Sequence, residues 1–181
     1  MKNTILSAAA IMTIASSAWA ADTGTIQFNG AVTETTCTIN VDGASNDATV
    51  TLPTVSASSL STATSVSGKT QFNLSLSNCS GGELTAKAFF EPGSTVDSAT
   101  GRLINTDTTD PATNVSLQLL DGTTDAAINV GDYAQASGTD GYVNIEAGSA
   151  TLPYSVQYYA EADNVGAGAV ASKVTYSISY Q

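Results

Sequence analysis

Histidine is absent from the 181-residue chain. That excludes Ser-His-Asp and Cys-His catalysis and every histidine-ligated metal site. Cysteine is nearly absent: Cys37 and Cys79 are the only 2, too few for a four-thiolate zinc centre. Positive charge is scarce, with 5 Lys and Arg against 16 Asp and Glu and a formal net charge of −11. Such a surface repels phosphate backbones, which argues against nucleic-acid binding. Charged residues of both signs make up 12 % of the chain, about half the usual share. No segment reaches the ~20 consecutive apolar residues that span a bilayer. The chain is therefore expected to be no enzyme, to hold no cofactor and no metal, and to insert in no membrane.

What is present is enough apolar side chain for a core, 42 % of residues. The N-terminus reads as a targeting segment. Lys2 supplies a positive start, Ile5 to Ile14 an apolar run broken by Ser7 and Thr13, and Ala18-Trp19-Ala20 a small-x-small cleavage signal. Residues 1–20 are expected to be a signal peptide, and the mature chain to start at Ala21. The rival reading, a membrane anchor, is disfavoured by the short apolar run. Export permits a disulfide. Cys37 and Cys79 have one intramolecular pairing, whose loop of about 40 residues stabilises by roughly 3–4 kcal/mol. Two free thiols are the alternative.

Along the rest of the chain the dominant signal has period two. Phe72, Leu74 and Leu76 alternate with polar residues, as do Val115, Leu117 and Leu119, and Leu84, Ala86, Ala88 and Phe90 continue the pattern. Leu152, Tyr154, Val156 and Tyr158 follow, then Val174, Tyr176, Ile178 and Tyr180. Each alternation describes a strand with one dry face. Turn residues separate them, at Asp42-Gly43, Gly81-Gly82, Pro92-Gly93, Asp121-Gly122 and Gly138 to Gly141. Thr54 to Ser67 reads as a surface crossing, and Asp121 to Gly141 as exposed acidic loops around a short strand near Ile128 to Val130. The pattern is that of an all-β sandwich, without internal repeat or linker.

Both ends carry apolar strands. Ile26, Phe28 and Val32 project from one side of an extended segment, with Gly24 and Gly30 leaving gaps. Such a strand fits either the first position in its own sheet or addition to the sheet edge of another subunit. At the far end the alternation runs to Tyr180, next to Gln181. Most secreted domains end in a few frayed polar residues. A strand amphipathic to its end either pairs within its own sheet or offers an edge to a partner.

The chain resembles a pilin of the chaperone–usher pathway, close to the type 1-like major shaft subunits. Gly24-Thr25-Ile26-Gln27-Phe28-Asn29-Gly30-Ala31-Val32 followed by Cys37 matches that family's opening. Val50, Leu52-Pro53 and Val55 match its next strand and turn, and Phe72-x-Leu74-x-Leu76-x-x-Cys79 its second cysteine strand. Leu152-Pro153-Tyr154, Gly168 fourteenth from the end and penultimate Tyr180 complete the match. The resemblance implies an incomplete immunoglobulin-like β-sandwich that lacks its last strand and is completed by donor-strand exchange. It implies a donor extension at residues 21–30, with Gly24, Ile26, Phe28 and Gly30 as donor positions, and a pilin domain at 31–181. It also implies that Gly168, Val174, Tyr176, Ile178, Tyr180 and Gln181 form a groove edge and chaperone contact. The implied partners are a periplasmic chaperone, an outer-membrane usher and neighbouring copies of the subunit. The implied place is the cell surface, in a fimbrium that supports adhesion. The extension before Gly24 is only Ala21-Asp22-Thr23, shorter than in many shaft pilins. Two other functions fit the same residues: a minor adaptor pilin, and a secreted carbohydrate-binding β-sandwich whose first strand pairs in its own domain.

The scattered aspartates Asp107, Asp110, Asp121, Asp125, Asp132 and Asp140 lack the spacing of an EF-hand calcium loop. They read as a solvated face.

Overall fold

The computed structural model describes residues 25–27, 30, 32–82, 85–137 and 139–181. The signal peptide expected at 1–20, Gly24, Phe28, Leu84 and Gly138 lie outside the described residues. The chain divides into Met1–Ala31 and Val32–Gln181, and the fold below is that of the second unit.

The period-two segments become strands. In chain order these are β1 (Thr36–Val41), β2 (Val66–Ser80), β3 (Thr85–Phe90), β4 (Leu103–Ile104) and β5 (Val115–Asp121). They continue with β6 (Ala127–Ile128), β7 (Val143–Asn144), β8 (Ala150–Ala160) and β9 (Tyr176–Tyr180). One sheet has the order β1-β2-β8-β5-β4, with β6 pairing β5, and a three-stranded sheet has the order β7-β3-β9. All strand pairs in both sheets are antiparallel, and β3, β5 and β8 bury residues on both faces, among them Phe89, Ser116, Leu120 and Ser155.

Register puts the alternating apolar residues opposite one another. Phe72 faces Tyr154 and Leu74 faces Leu152 across β2 and β8; Leu119 faces Val156 across β5 and β8. Their side chains meet Ala86, Ala88 and Phe90 of the second sheet in one core. Tyr154 sits at its centre: its ring meets Phe90 edge-on at 5.0 Å and Phe72 at 5.9 Å. Leu74, Leu76 and Leu152 are at most 2 % exposed, so truncating any of them to alanine costs about 2–5 kcal/mol. The pairing of β2 with β8 shifts between Ser67 and Thr70. Gly68 occupies the shift at φ +66°, and a Cβ there would lie 2.8 Å from the Tyr158 ring.

Two segments differ from the sequence reading. Thr54 to Ser67 is more than a surface crossing, because Leu60 is 2 % exposed. It is delivered by a 3-10 turn, Ala57–Leu60, capped by the Ser56 side chain, and packs with Val115 and Ala160. The strand implied at Val50 to Val55 is not formed, although Val50 and Leu52 pack against the core. Pro53 has no amide to give a ladder. The short strand expected near Ile128 is β6.

Cys37 and Cys79 form a disulfide, which ties β1 to the end of β2 beside an irregularity between Thr36 and Thr38. It closes a sequence separation of 42, worth roughly 3–4 kcal/mol in the chain-entropy account. The folded protein should therefore take up no alkylating reagent without reductant and two equivalents after reduction. Mass analysis of non-reduced protein checks this, and full labelling without reductant would contradict the fold.

Candidate functional site

The three-stranded sheet has two outer limits, and they are built differently. Backbone bonds alternate along an antiparallel pair, so every second residue of a strand points its N–H and C=O away from the neighbour. Thr85 and Gln181 exchange both bonds, at 2.9 and 3.1 Å, and Glu91 N–H donates to Thr175 at 2.9 Å. With Ala88 opposite Ile178, this phase aims the backbone groups of Ala88 and Phe90 toward the β7 side. It aims those of Tyr176, Ile178 and Tyr180 to the outside of β9.

The β7 side of β3 is closed. β7 itself covers Thr85 and Ala86. Beyond it, Ala88 N–H donates to the buried Tyr154 hydroxyl at 2.9 Å. Phe90 N–H donates to Gln135 Oε1 at 3.1 Å, and Gln135 Nε2 returns a bond to the Phe90 carbonyl at 3.1 Å. The Gln135 amide thus takes the place of a strand neighbour, and Gly131 N–H adds a bond to the same carbonyl at 3.0 Å. On the outside of β9, among the described residues, no strand pairs at all.

That open edge is apolar on its inner side. Val174, Tyr176, Ile178 and Tyr180 are half-buried and packed against the core. Burial pushes the Tyr176 and Tyr180 hydroxyls above the usual tyrosine range. The Tyr176 hydroxyl donates to the Asn46 carbonyl at 2.8 Å, which fixes the start of β9 to the loop after β1. The outer side is polar: Ser177 donates to Glu91, and Ser179 shares a bond with the Tyr142 hydroxyl. Earlier in the chain an apolar cavity of about 300 Å³ opens between Val55, Leu60, Tyr158, Val165 and Val170.

The residues singled out from sequence fall in three places. Val174, Tyr176, Ile178 and Tyr180 lie together along this edge, and Gln181 pairs with Thr85. Gly168 lies apart from it: a Cβ there would sit 2.4 Å from Ala112 N and 2.5 Å from the Asp110 carbonyl, so glycine is what lets the chain pass. Of the donor positions, Ile26 is 77 % exposed and Gly30 has open space where a side chain would stand; Gly24 and Phe28 lie outside the described residues. Sequence reasoning missed the caps. A tyrosine on a dry strand face needs a hydroxyl partner, which was the available signal for Tyr154; Gln135 gave none. Among the described residues no His, Cys, Asp or Glu group could hold a metal ion, and no helix is long and apolar enough to cross a membrane.

The model of the family described as "Type-1 fimbrial protein, A" matches residues 52–181. The chain belongs to this fimbrial protein family. It is 45 % identical over 159 residues to the "Major fimbrial subunit SMF-1" of Stenotrophomonas maltophilia, covering 87 % of this chain and 92 % of that one. It is 41 % identical over 170 residues to the "F17 fimbrial protein" of Escherichia coli, covering 92 % of each. Among solved structures it matches the P pilus rod subunit PapA with a TM-score of 0.58 at 18 % identity, over 80 % of this chain and 99 % of that one. A subunit in a chaperone–usher pilus structure gives the same TM-score at 21 % identity, over 88 % and 96 %. The fold is thus the immunoglobulin-like sandwich lacking a strand that these pilins adopt, and the chain is a structural subunit of a fimbria.

The cap on β3 gives a pH signature. Burial raises the Tyr154 hydroxyl from 10.0 to about 12, partly offset by its bond from Ala88. The folded state then holds a proton that the unfolded chain has released. Stability from this group is complete below pH ~10 and declines between pH ~10 and ~12. Tyr154→Phe should lose about 1–3 kcal/mol at neutral pH, because Ala88 N–H is left unpaired. It should also lose less than the parent across the alkaline window. Urea unfolding of the fimbrial protein from pH 8 to 12 reads both.

Proposed function

We propose that this protein is a shaft subunit of a chaperone–usher fimbria, and that its open β9 edge receives a strand donated by residues 24–30 of a neighbouring copy. The observation that carries this reading is the contrast between the two limits of the small sheet. One is sealed by β7, Tyr154 and Gln135; the other offers the backbone of Tyr176, Ile178 and Tyr180 above half-buried side chains. An unpaired apolar edge invites uncontrolled association. A strand added there forms a backbone ladder and buries alternate side chains. Ile26 and Phe28, spaced two apart, each contribute roughly 1.5–3 kcal/mol on full burial. Gly24 fits where no side chain has room.

A subunit with such an edge needs it covered during export. A periplasmic chaperone would lend a strand to the same groove, and an outer-membrane usher would oversee its replacement by the next subunit. The finished fibre stands on the cell surface and supports adhesion. The shaft role, rather than an adaptor role, is favoured by the 45 % identical relative, whose name is that of a major subunit.

The test is a Gly24→Trp, Phe28→Asp double variant expressed with chaperone and usher. The periplasmic chaperone complex should persist at parental level, because in that state the segment belongs to no core, and surface fibres should be lost. Parental fibre numbers would refute assembly through this segment. Loss of the chaperone complex together with the fibres would mark 24–30 as an ordinary folding strand.

A further inference from the structure

The β3 limit of the small sheet has the parts of a strand acceptor, and one turn denies it that role. Both backbone groups of Phe90 and the Ala88 carbonyl face the β7 side, beyond the residues that β7 covers. Beside them a cavity of about 290 Å³ opens, with Ala88, Ile128, Ala134 and Tyr154 among its walls next to the charged Lys87 and Asp121. A backbone edge above a partly apolar space is what an added strand uses. The 3-10 turn Tyr133–Ala136, capped by Asp132, occupies the place instead. Gln135 Oε1 accepts from Phe90 N–H at 3.1 Å, and Gln135 Nε2 donates to the Phe90 carbonyl at 3.1 Å. Two bonds exchanged with a single residue are the pattern of an antiparallel strand pair. A primary amide can give both from one side chain, whereas a carboxylate only accepts and an ammonium only donates.

The turn is built to hold that amide in place. Asp132 Oδ1 accepts from Ala134 N–H at 2.8 Å. The Asp132 carbonyl accepts from Gln135 N–H at 3.1 Å and from Gln135 Nε2 at 3.2 Å. The Tyr133 ring stacks on Phe89 at 5.7 Å while 78 % exposed, so an aromatic side chain stands in solvent and pins the turn to β3. Gly131, at φ +82°, starts the segment. Tyr154 serves Ala88 from inside the core, but Gln135 serves Phe90 from the surface. Gln135 is half-buried, and Asp132, Tyr133, Ala134 and Ala136 are exposed. The turn can therefore leave the edge without opening the core.

We propose that Gln135 is a specificity residue of assembly: it stands in for a strand at β3 and keeps that edge from accepting a second donated segment 24–30. The proposal rests on the strand-donation reading above and goes beyond it to the number of acceptors. Each copy has one such segment to give. With one acceptor per copy, the copies link in an unbranched line. With two, a copy holds two donors and the line forks. The segment Gly24-Thr25-Ile26-Gln27-Phe28-Asn29-Gly30 carries no charge, so the carboxylates of Asp121 and Asp132 do not repel it from the β3 side. The edge is protected by being covered, as exposed sheet edges commonly are.

Gln135→Leu and Gln135→Glu chains test it. Leucine keeps the bulk and removes both bonds. Glutamate keeps the acceptor for Phe90 N–H and sets a second oxygen against the Phe90 carbonyl, a milder change that gives the reading if the leucine chain fails to accumulate. Each chaperone-bound subunit is mixed with excess synthetic peptide of residues 21–32, and native mass spectrometry counts the peptides held per subunit. The parent should hold one and the variants two. Electron microscopy should show forked fibres from the variants and unforked fibres from the parent. One peptide per subunit and unforked fibres in the variants would overturn the proposal, because the turn would then only brace the fold. Failure of the strand-donation reading has a different signature: the parent itself takes up no peptide, or takes up the Gly24→Trp, Phe28→Asp peptide equally well.

Discussion

Backbone hydrogen bonding at the small sheet is the constraint on which the rest of the molecule turns. A strand has two edges, and each edge group that loses water must find a partner. In the order β7-β3-β9, β3 is satisfied on both sides, on one of them by a tyrosine hydroxyl and a glutamine amide that replace a strand. The molecule spends side chains to close that edge. The outside of β9 has no such device among the described residues, although its side chains already reach the core. An edge with an apolar underside and free amides is a template for one more strand.

The remainder of the fold holds this edge straight. The large sheet presents Leu74, Leu152 and Val156 as a flat apolar floor, and the Tyr154 ring rises from it to meet Phe90. The disulfide fixes β1 to β2, and the Tyr176 bond to Asn46 fixes the start of β9. Three of the described cations are engaged locally: Lys69 with Asp125, Lys87 with the Asp140 carbonyl and the Tyr142 ring, and Arg102 with Glu161. The exposed Lys69–Asp125 pair contributes little to stability, whereas Arg102 and Glu161 are partly buried and doubly bonded.

Much of this was legible from residue order. Period two at Phe72 to Leu76, Leu152 to Tyr158 and Val174 to Tyr180 names strands and their dry faces, because side-chain direction along a strand is a local property. The two cysteines have one mutual pairing. What is not local was not legible. Tyr154 and Ala88 are 66 residues apart and Gln135 and Phe90 45, so nothing near either cap announces it. Leu60 lies in a Ser-rich stretch whose composition resembles a loop, and only tertiary contact with Val115 and Ala160 makes it core. Gly168 passes close against Asp110 and Ala112, a loop crossing that no periodicity records.

The central claim is that the outside of β9, open in the free subunit, is hydrogen-bonded by a neighbouring subunit in the fibre. Residue-resolved amide hydrogen exchange measures it directly, on assembled fibres and on the chaperone-free subunit under mild conditions. Ser177 and Ser179, whose amides face β3, should be protected in both. Tyr176, Ile178 and Tyr180 should exchange quickly in the free subunit and at least ~100-fold more slowly in the fibre, the effect of about 2.7 kcal/mol of added protection. Fast exchange at these three amides in intact fibres would contradict the account.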